Sequence, residues 1–199
     1  MDKTLLLIDG SSFIFRAFHA MPDLTSPGGQ PTGAIYGIIN MFKQMQKKFP
    51  TKNWGCIFDM PGKTFRDDIH PEYKANRKET PANLISQFEE IYILVKALGI
   101  PVIMQNGIEA DDLIGTIAVK AKQSGYKVII ATGDKDFAQL VDDNITLINT
   151  MNNEILDIPG VINKFGVKPE QIIDYLSLVG DKVDNIPGVD KCGPKTAVK

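Results

Sequence analysis

The fold is decided by residues 4–10, Thr-Leu-Leu-Leu-Ile-Asp-Gly, an uninterrupted apolar run that ends in an aspartate and a glycine. A short apolar run without alternating polar residues is typical of a strand buried on both faces of a parallel sheet. Ser11 or Ser12 can cap a helix that follows directly. The stretch therefore predicts a buried strand followed by a helix, with Asp9 at the carboxyl end of the strand.

The rest of the chain alternates between the same two kinds of segment. Short apolar runs predict further strands, at 53–59, 100–104 and 126–131. Apolar residues with a helical period predict helices at 35–49, 81–99 and 113–121, and two short helices within 158–178. A hairpin is predicted about Asn152 and Asn153, between 144–150 and 154–158. This alternation indicates an α/β fold, a mostly parallel central sheet with helices on both faces.

Acidic residues follow the predicted strands more often than helix capping requires. Asp9 ends the first strand, Asp59 ends the second and Asp134 follows the fourth, while residues 109–112 place three carboxylates just after the third. The carboxyl ends of parallel strands meet at one edge of a sheet, where ligands bind. A single acid at such a position is explained by capping, since Asp caps helices well. Acids at four strand ends favour a metal site instead.

The residue types of this site narrow the choice of ion. The set contains no His or Cys, so Mg²⁺ or Mn²⁺ is favoured over zinc. Asp134 and Asp136 are two residues apart and can reach one ion or bridge two. The carboxylates exceed what one Mg²⁺ takes, which predicts two ions, as in phosphoryl-transfer sites. Like charges crowded in this way also predict raised pKa values for some of the acids when no metal is bound.

Residues 60–80 interrupt the pattern with a segment that has no core-forming period. Between Lys63 and Lys78 it contains five basic and three acidic residues. A segment this long within a compact domain predicts a lid or a binding loop, and a solvated charged loop is the alternative. Lys74 and Arg77 are one helical turn apart, so a helix would direct both the same way, with Tyr73 adjacent. Cations of this kind stabilise a charged phosphate transition state, and an aromatic ring can stack on an unpaired base.

The overall charge and composition exclude some classes of protein. The net charge is −2, but nine of the 24 acidic residues belong to the predicted site and leave 15 against 22 basic residues elsewhere. Basic surface for a nucleic acid is therefore available. No apolar run is long enough to cross a membrane. Cys56 and Cys192 lack metal-ligand spacing and suit a reducing cytosol, and Cys56 is predicted to lie in the core.

The last segment of the chain is rich in glycine. Residues 186–189 and 193–195 predict a helix, a glycine-bearing hairpin and a second helix. Glycines let backbone N–H groups approach phosphates without reading a base. These patterns divide the chain into an α/β domain over 1–175, with the insertion at about 60–80, and a glycine-rich region over 176–199 that can contact phosphates.

Taken together, these motifs resemble the 5′-nuclease domain of bacterial DNA polymerase I and its kin, the flap endonucleases, along essentially the whole chain. The motifs that carry the resemblance are residues 7–10, 58–59, 73–77, 109–112, 132–136 and 180–193. The resemblance implies a PIN-like fold and a two-metal 5′-3′ exonuclease and flap endonuclease. It also implies a monomer in the bacterial cytoplasm, associated with the nucleoid, that acts in primer removal and DNA repair. Its substrates would be 5′-flap, nicked or gapped DNA, with RNA primer–DNA hybrids a further possibility.

The resemblance also implies a role for each site residue. The acids nearer one ion are Asp9, Asp59, Glu109 and Asp111, those nearer the other are Asp134, Asp136 and Asp184, and the accessory acids are Asp112 and Asp181. Tyr73, Lys74 and Arg77 match an arch over the site, and Arg16 matches a basic residue near the scissile phosphate. The terminal hairpin resembles a helix–three-turn–helix that grips duplex DNA and holds a monovalent cation, such as K⁺, by its carbonyls. The resemblance thus implies a catalytic domain over 1–175 and a DNA-binding region over 176–199. The candidate DNA-binding residues that it implies are Gly188, Val189, Gly193, Lys195 and Thr196.

Three alternatives stand beside this interpretation. The family's nuclease domain continues beyond residue 199, which predicts an incomplete helix–three-turn–helix and leaves open a DNA-binding piece with weak catalysis. A phosphatase with an aspartyl nucleophile needs Asp-x-Asp at the end of the first strand, where Asp9 is followed by Gly10 and Ser11. A phosphate-accepting receiver domain needs fewer acids and no basic segment.

Overall fold

The computed structural model describes residues 3–150 and 152–199. The strands are β1 Thr4–Asp9, β2 Asn53–Ile57, β3 Val102–Ile103, β4 Lys127–Ala131, β5 Ile145–Asn149, β6 Glu154–Leu156, β7 Gly180–Asp181 and β8 Ile186–Pro187. The α-helices are α1 Gly10–Ala20, α2 Gly33–Lys48, α3 Phe65–Ile69, α4 Ala82–Ile85, α5 Phe88–Ala97, α6 Ala110–Gln123, α7 Ile158–Phe165, α8 Ile172–Val179 and α9 Pro194–Ala197. Two 3-10 helices span Asp136–Leu140 and Pro169–Gln171.

Six strands form one sheet in the order β3-β2-β1-β4-β5-β6. All neighbouring pairs are parallel except β5 and β6, which form the predicted antiparallel hairpin. In the register, Ile8 of β1 lies between Cys56 of β2 and Ala131 of β4. Strands β1, β2 and β4 therefore end side by side, and the mostly parallel sheet is confirmed.

The central strand β1 explains why helices cover both faces. Leu6 and Ile8 point into one apolar core, while Leu7 points into the other, and all three are almost fully buried. Helices α1, α2 and α5 supply the first core, and α6, α7 and α8 supply the second. Burial of each such side chain stabilises the fold by roughly 1.5–3 kcal/mol. Cys56 lies in the first core, as predicted.

Some helix boundaries differ from the prediction because of contacts between distant residues. The helix predicted over 81–99 is divided into α4 and α5. At the break, the buried Gln87 side chain accepts hydrogen bonds from the Ala34 and Ile35 N–H groups, at 2.9 and 3.2 Å. These N–H groups lie in the first turn of α2, which has no side-chain cap of its own. Helix α1 is capped by Asp9, not by Ser11 or Ser12.

The segment predicted as an insertion, 60–80, contains one short helix and a series of turns. A capping box formed by Thr64 and Asp67 starts α3. Residues 71–76 form turns, and Lys74 has a left-handed backbone with φ +55°. A helix through Lys74 and Arg77, which would have directed both side chains the same way, is therefore absent, because a left-handed residue interrupts an α-helix.

The C-terminal segment forms the predicted helix, hairpin and helix, here α8, the β7–β8 pair and α9. Gly180 has φ +75°, and a Cβ added there would lie 2.3 Å from the Gly188 nitrogen. A Cβ on Gly188 would lie 2.4 Å from the Val179 carbonyl. Both glycines are thus required by close packing of the hairpin on the end of α8. Within the described residues, no helix is long and apolar enough to span a bilayer.

Candidate active site

The parallel sheet brings the strand-end acids together, as predicted. Asp9, Asp59, Asp111 and Asp134 line one cavity of about 400 Å³ at the carboxyl edge of the sheet. The charges of the other three carboxylates all raise the pKa of Asp111. Asp181, the last residue of β7, and Asp184, in the turn before β8, line the same cavity. The cavity therefore collects acids from four strand ends and from the hairpin.

Asp9 is the most buried acid of the cavity, with 5% of its surface exposed. Its carboxylate accepts hydrogen bonds from the Ser12 N–H at 2.9 Å and from the Thr132 hydroxyl at 2.7 Å. Burial nevertheless raises the pKa of Asp9 to about 6, because desolvation outweighs both hydrogen bonds. The side chain is held in place by β4 and α1 with its charge only partly compensated.

Asp111 has the most strongly perturbed carboxyl group. Burial, followed by repulsion from Asp9, Asp134 and Asp59, raises its pKa to about 8. Burial is also the largest cause of the raised pKa of Asp134. Like-charge repulsion was predicted to raise these pKa values, and it does contribute. The larger cause is desolvation in the cleft, which the sequence did not indicate.

Asp136 provides the clearest local test of whether a cation fits. Its Oδ1 is buried and has no hydrogen-bond partner in the structure. Burial raises the pKa of Asp136 to about 6, with a further contribution from Asp134. Its N–H donates to Asp134 Oδ1 at 2.9 Å, so the two side chains are held in one tight turn. A buried carboxylate oxygen without a donor is costly, and a hard cation is the partner that suits it.

Four acids that are shielded from solvent and lack a basic partner are defined as the inner acids, namely Asp9, Asp111, Asp134 and Asp136. In the part of the chain that the structure describes, none of them forms an ion pair. Asp59 also lacks a basic partner there, but it is exposed. Four others, the outer acids, each pair with a base, and they are Glu109, Asp112, Asp181 and Asp184. The two groups line one site but have opposite electrostatic environments.

The predicted arch residues contact the outer acids directly. Lys74 Nζ lies 2.9 Å from Glu109 Oε1. Arg77 Nη2 lies 2.6 Å from Asp184 Oδ1. The Tyr73 hydroxyl donates to Glu109 at 3.1 Å and to Asp184 at 3.2 Å. Burial raises the pKa of Tyr73, so its hydroxyl stays protonated as a donor.

Two further bases were not predicted. Arg66 forms a two-pronged pair with Asp112, at 2.6 and 2.8 Å, and this hydrogen bonding holds the pKa of Asp112 below its usual range. Lys135 Nζ lies 2.9 Å from Asp181 Oδ2. Burial alone would raise the pKa of Asp181. Hydrogen bonds from Lys135 and from the Val183 N–H contribute to the opposite effect, and the pKa lies below its usual value. In the sequence, Arg66 can be recognised only as a base next to Phe65, and Lys135 only as a lysine between two aspartates.

Two predicted site residues have structural partners that the sequence did not reveal. Asp59, which follows β2, accepts a hydrogen bond at its Oδ1 from the Ala110 N–H at 2.8 Å and so caps the start of α6. Glu109, at the capping position of α6, makes no side-chain cap. Arg16 hydrogen-bonds to Thr150, stacks its guanidinium 5.3 Å from the Phe13 ring and has a pKa lowered by burial.

As the side chains lie, the carboxylates do not form a complete ligand set. Among residues 3–150 and 152–199, no group of three or more Asp, Glu, His or Cys side chains is arranged to hold one ion. The outer acids instead face their bases. The donor set of the inner acids is entirely oxygen and fits Mg²⁺ or Mn²⁺, with the free Asp136 oxygen in support.

The candidate DNA-binding residues differ in accessibility. Gly188 is enclosed by backbone, so its missing side chain serves packing. No atom lies within 4 Å of a Cβ built on Gly193, which leaves its backbone open to a ligand. The side chains of Val189, Lys195 and Thr196 are exposed, and the Val189 N–H donates to Leu178.

An α/β sheet with pooled carboxylates under a basic segment belongs to the class of domains built for metal-assisted phosphate chemistry. Residues 4–166 match the family described as "5′-3′ exonuclease, N-terminal resolvase-like domain". Residues 167–199 match "5′-3′ exonuclease, C-terminal SAM fold". The chain belongs to this 5′-3′ exonuclease family, of the DNA polymerase I and flap endonuclease type. The predicted domain boundary at residue 175 falls within α8 and stays a prediction.

Similar proteins agree with this assignment. DNA polymerase I of Pseudomonas aeruginosa is 53% identical over 98% of this chain and 21% of its own length. A 5′-3′ exonuclease of Aquifex aeolicus is 47% identical over 98% of this chain and 68% of its own length. The chain thus spans about a fifth of such polymerases.

Solved structures share the fold. T5 5′-exonuclease with bound zinc is 25% identical, with a TM-score of 0.78 over 98% of this chain and 73% of that one. Bacteriophage T5 flap endonuclease, in a complex with DNA and metal ions, is 22% identical, with a TM-score of 0.82 over the same shares of the two chains. These neighbours bind divalent metal ions. The α/β fold with its C-terminal helix–three-turn–helix is confirmed.

Proposed function

We propose that this chain is a metal-dependent 5′ nuclease that hydrolyses phosphodiester bonds near the 5′ ends of DNA. The observation that carries the proposal is the group of inner acids, which are largely shielded from solvent and form no ion pairs within the described residues, with one oxygen of Asp136 lacking any hydrogen-bond partner. In their ionised form these acids destabilise the fold, and a bound cation offsets this cost. The family assignment supports the reaction, and the basic residues beside the acids support a phosphate substrate.

The ions proposed are two Mg²⁺ or Mn²⁺. Asp9, Asp59, Glu109 and Asp111 would hold one, and Asp134, Asp136 and Asp184 the other, with Asp112 and Asp181 as accessory acids. When bound, the ions supply an activated water and neutralise charge on the leaving oxygen. Asp112 and Asp181 are paired with Arg66 and Lys135, which agrees with an accessory role. Glu109 and Asp184 are also paired with bases, so each would exchange its base for an ion on binding.

The basic residues of the arch have two sets of partners available. Without DNA, Lys74 and Arg77 neutralise Glu109 and Asp184. Once cations neutralise those acids, the same bases are free to bind the scissile phosphate, where positive charge stabilises the transition state. Tyr73 already bridges Glu109 and Asp184 and positions both carboxylates. Arg16 lies beside the turn at Gly133 that leads to Asp134 and is proposed to contact a neighbouring phosphate.

The proposed substrate is 5′-flap, nicked or gapped duplex DNA, with RNA primer–DNA hybrids as a second form. The hairpin before α9 would grip the duplex through Gly188, Val189, Gly193, Lys195 and Thr196, with K⁺ at its carbonyls. The proposed setting is a monomer in the bacterial cytoplasm, at the nucleoid, in primer removal and repair.

Single-turnover cleavage of a 5′-flap duplex, labelled at its 5′ end, tests the proposal. With Mg²⁺ or Mn²⁺ we expect a short labelled product, and with EDTA none. Ca²⁺ should not replace Mg²⁺, because it prefers larger and looser coordination. Full activity in EDTA would contradict the metal mechanism. Tight flap binding without cleavage in Mg²⁺ would favour a DNA-binding piece with weak catalysis.

A further inference from the structure

A second cavity of about 850 Å³ adjoins the acid cavity and shares Asp111 and Asp184 with it. Its walls come from α3, the first turns of α6, the 3-10 helix over 136–140 and strand β8. The basic residues Lys74 and Arg77 line the acid cavity but not this one. A ligand with one group at the acids can therefore extend another group directly into the second cavity.

The wall of this second cavity carries apolar side chains that are unusually exposed. Phe65 is 49% exposed, Ile69 76% and Ile186 44%. Phe137 and Leu140 line the same cavity from the body of the domain. Large apolar groups that converge on a concave surface mark a ligand site more often than scattered surface residues do. The walls are therefore suited to a flat, mostly apolar group.

The ring of Phe65 is held in place rather than free. The Arg66 guanidinium lies 4.6 Å from the centre of this ring. That guanidinium is itself fixed by its two hydrogen bonds to Asp112 on α6. An aromatic ring ordered in advance loses little conformational freedom when a second flat group stacks on it.

The charge of the second cavity selects among the parts of a nucleotide. Among the described residues that line it, Arg66 is the only lysine or arginine, and it is already paired with Asp112. The lining therefore offers no free cationic side chain to a phosphate, whereas a neutral nucleobase needs none. Thr116 and Gln139 add polar groups that can bond to a base edge. A base within a duplex has both faces covered by its neighbours, so a base that enters the cavity must be unpaired.

We propose that this cavity binds the unpaired nucleobase next to the scissile phosphate, stacked on Phe65. The inference rests on the proposed function, because that function places the phosphate at the acids. It assigns Phe65 to recognition of the substrate strand and the second cavity to its base. A stacked base would fix the strand on one side of the reacting phosphate.

The test compares two flap duplexes, one intact and one with a single abasic site at the flap nucleotide beside the junction with the duplex, a position that is defined without a cleavage reaction. Affinities are measured by fluorescence anisotropy in Ca²⁺, where no cleavage is expected. The wild type should bind the intact flap about 10-fold more tightly, as expected for one stacking contact. Phe65→Ala should bind both flaps equally, whereas Phe65→Tyr should retain the preference. Ile93→Ala is the matched control, since Ile93 is 57% exposed on α5 and does not line the cavity.

The outcomes separate this proposal from the proposed function. Loss of the preference in Phe65→Ala, with the preference kept in the two other variants, supports the base site even if cleavage in Mg²⁺ fails. A preference of the same size in Phe65→Ala and the wild type overturns it, even if cleavage is normal. Equal binding of both flaps by the wild type also overturns it. A second readout is 2-aminopurine at the same nucleotide, whose fluorescence should fall on binding to the wild type but not to Phe65→Ala.

Discussion

The inner and outer acids line one cleft, but they are compensated in opposite ways. Asp111 and Asp112 are adjacent in the first turn of α6. Burial raises the pKa of Asp111 to about 8, whereas hydrogen bonds from Arg66 hold the pKa of Asp112 below its usual range. The Asp112 side chain reaches Arg66, whereas the neighbouring Asp111 side chain lies in the cleft without an ion pair to any described residue. Acids that look equivalent in the sequence therefore have different roles.

The carboxylates of the cleft are therefore neutralised from two different sources. The outer acids obtain it from Arg66, Lys74, Arg77 and Lys135, within the chain. The inner acids have no such partner among the described residues and are left for ions from solution. Substitutions in each group therefore test whether the two groups differ in function and in their effect on stability.

Asp134→Ala removes a ligand from the inner group. We expect the single-turnover rate in Mg²⁺ to fall by about 1,000-fold or more, equivalent to ~4 kcal/mol of transition-state stabilisation. The thermal melting temperature should not fall. Asp112→Asn is the matched control from the outer group and should lose less than about 10-fold. Similar losses for both variants would remove the distinction between the groups.

Lys74→Ala and Arg77→Ala remove bases that pair with outer acids. We expect each to lower the single-turnover rate by about 100-fold, as for loss of one group that stabilises transition-state charge. Duplex affinity, measured by anisotropy, should change much less, because these charges act on the reacting phosphate. Equal losses in rate and affinity would mean that both residues are general electrostatic contacts.

Asp111→Asn tests the inner group through stability. Folded pKa values of about 6 for Asp9 and Asp136 and about 8 for Asp111 exceed the usual value near 4. The native state thus binds more protons, and metal-free protein should lose stability as pH rises from about 4 to about 8. At pH 8 in EDTA, Asp111→Asn should raise the free energy of unfolding by on the order of 1 kcal/mol or more.

Urea unfolding curves at pH 5 and pH 8 measure this effect. Mg²⁺ should stabilise the wild type at pH 8, because it binds only the folded site, and should have little effect on Asp111→Asn. If Asp111→Asn unfolds more easily than the wild type at pH 8 in EDTA, structural hydrogen bonds hold this acid and desolvation does not dominate.

Asp112→Asn should change the free energy of unfolding least, and it should lower this free energy, whereas Asp111→Asn should raise it. The lowered pKa of Asp112 means that its pair with Arg66 adds stability above pH 4 and loses it on acidification. The pair is partly exposed to solvent, so we expect a loss of only about 0.5–1 kcal/mol at pH 7. Urea unfolding at pH 7 and pH 3 checks it, and the difference from wild type should disappear at pH 3. A stabilised variant at pH 7 would contradict the pairing.

Much of the fold follows from local patterns. Apolar runs located β1, β2 and β4, and helical periods located α2 and α6, because burial of one face or two faces leaves a repeat in the sequence. The division of 81–99 at Gln87 left no such signal, since it depends on hydrogen bonds to the distant start of α2. The turns that carry Lys74 were also missed, because its left-handed backbone follows from the docking of the arch on the hairpin.

Local sequence patterns were enough to predict that carboxylates meet at the carboxyl edge of a parallel sheet, because strand order does not change which end of a parallel strand faces that edge. The residue types were enough to predict that the site suits hard cations. Which acids lack a basic partner depends on how distant segments pack together. Asp112 meets Arg66, Asp181 meets Lys135 and Asp136 meets neither, since ion pairing and desolvation depend on distances between segments far apart in the chain.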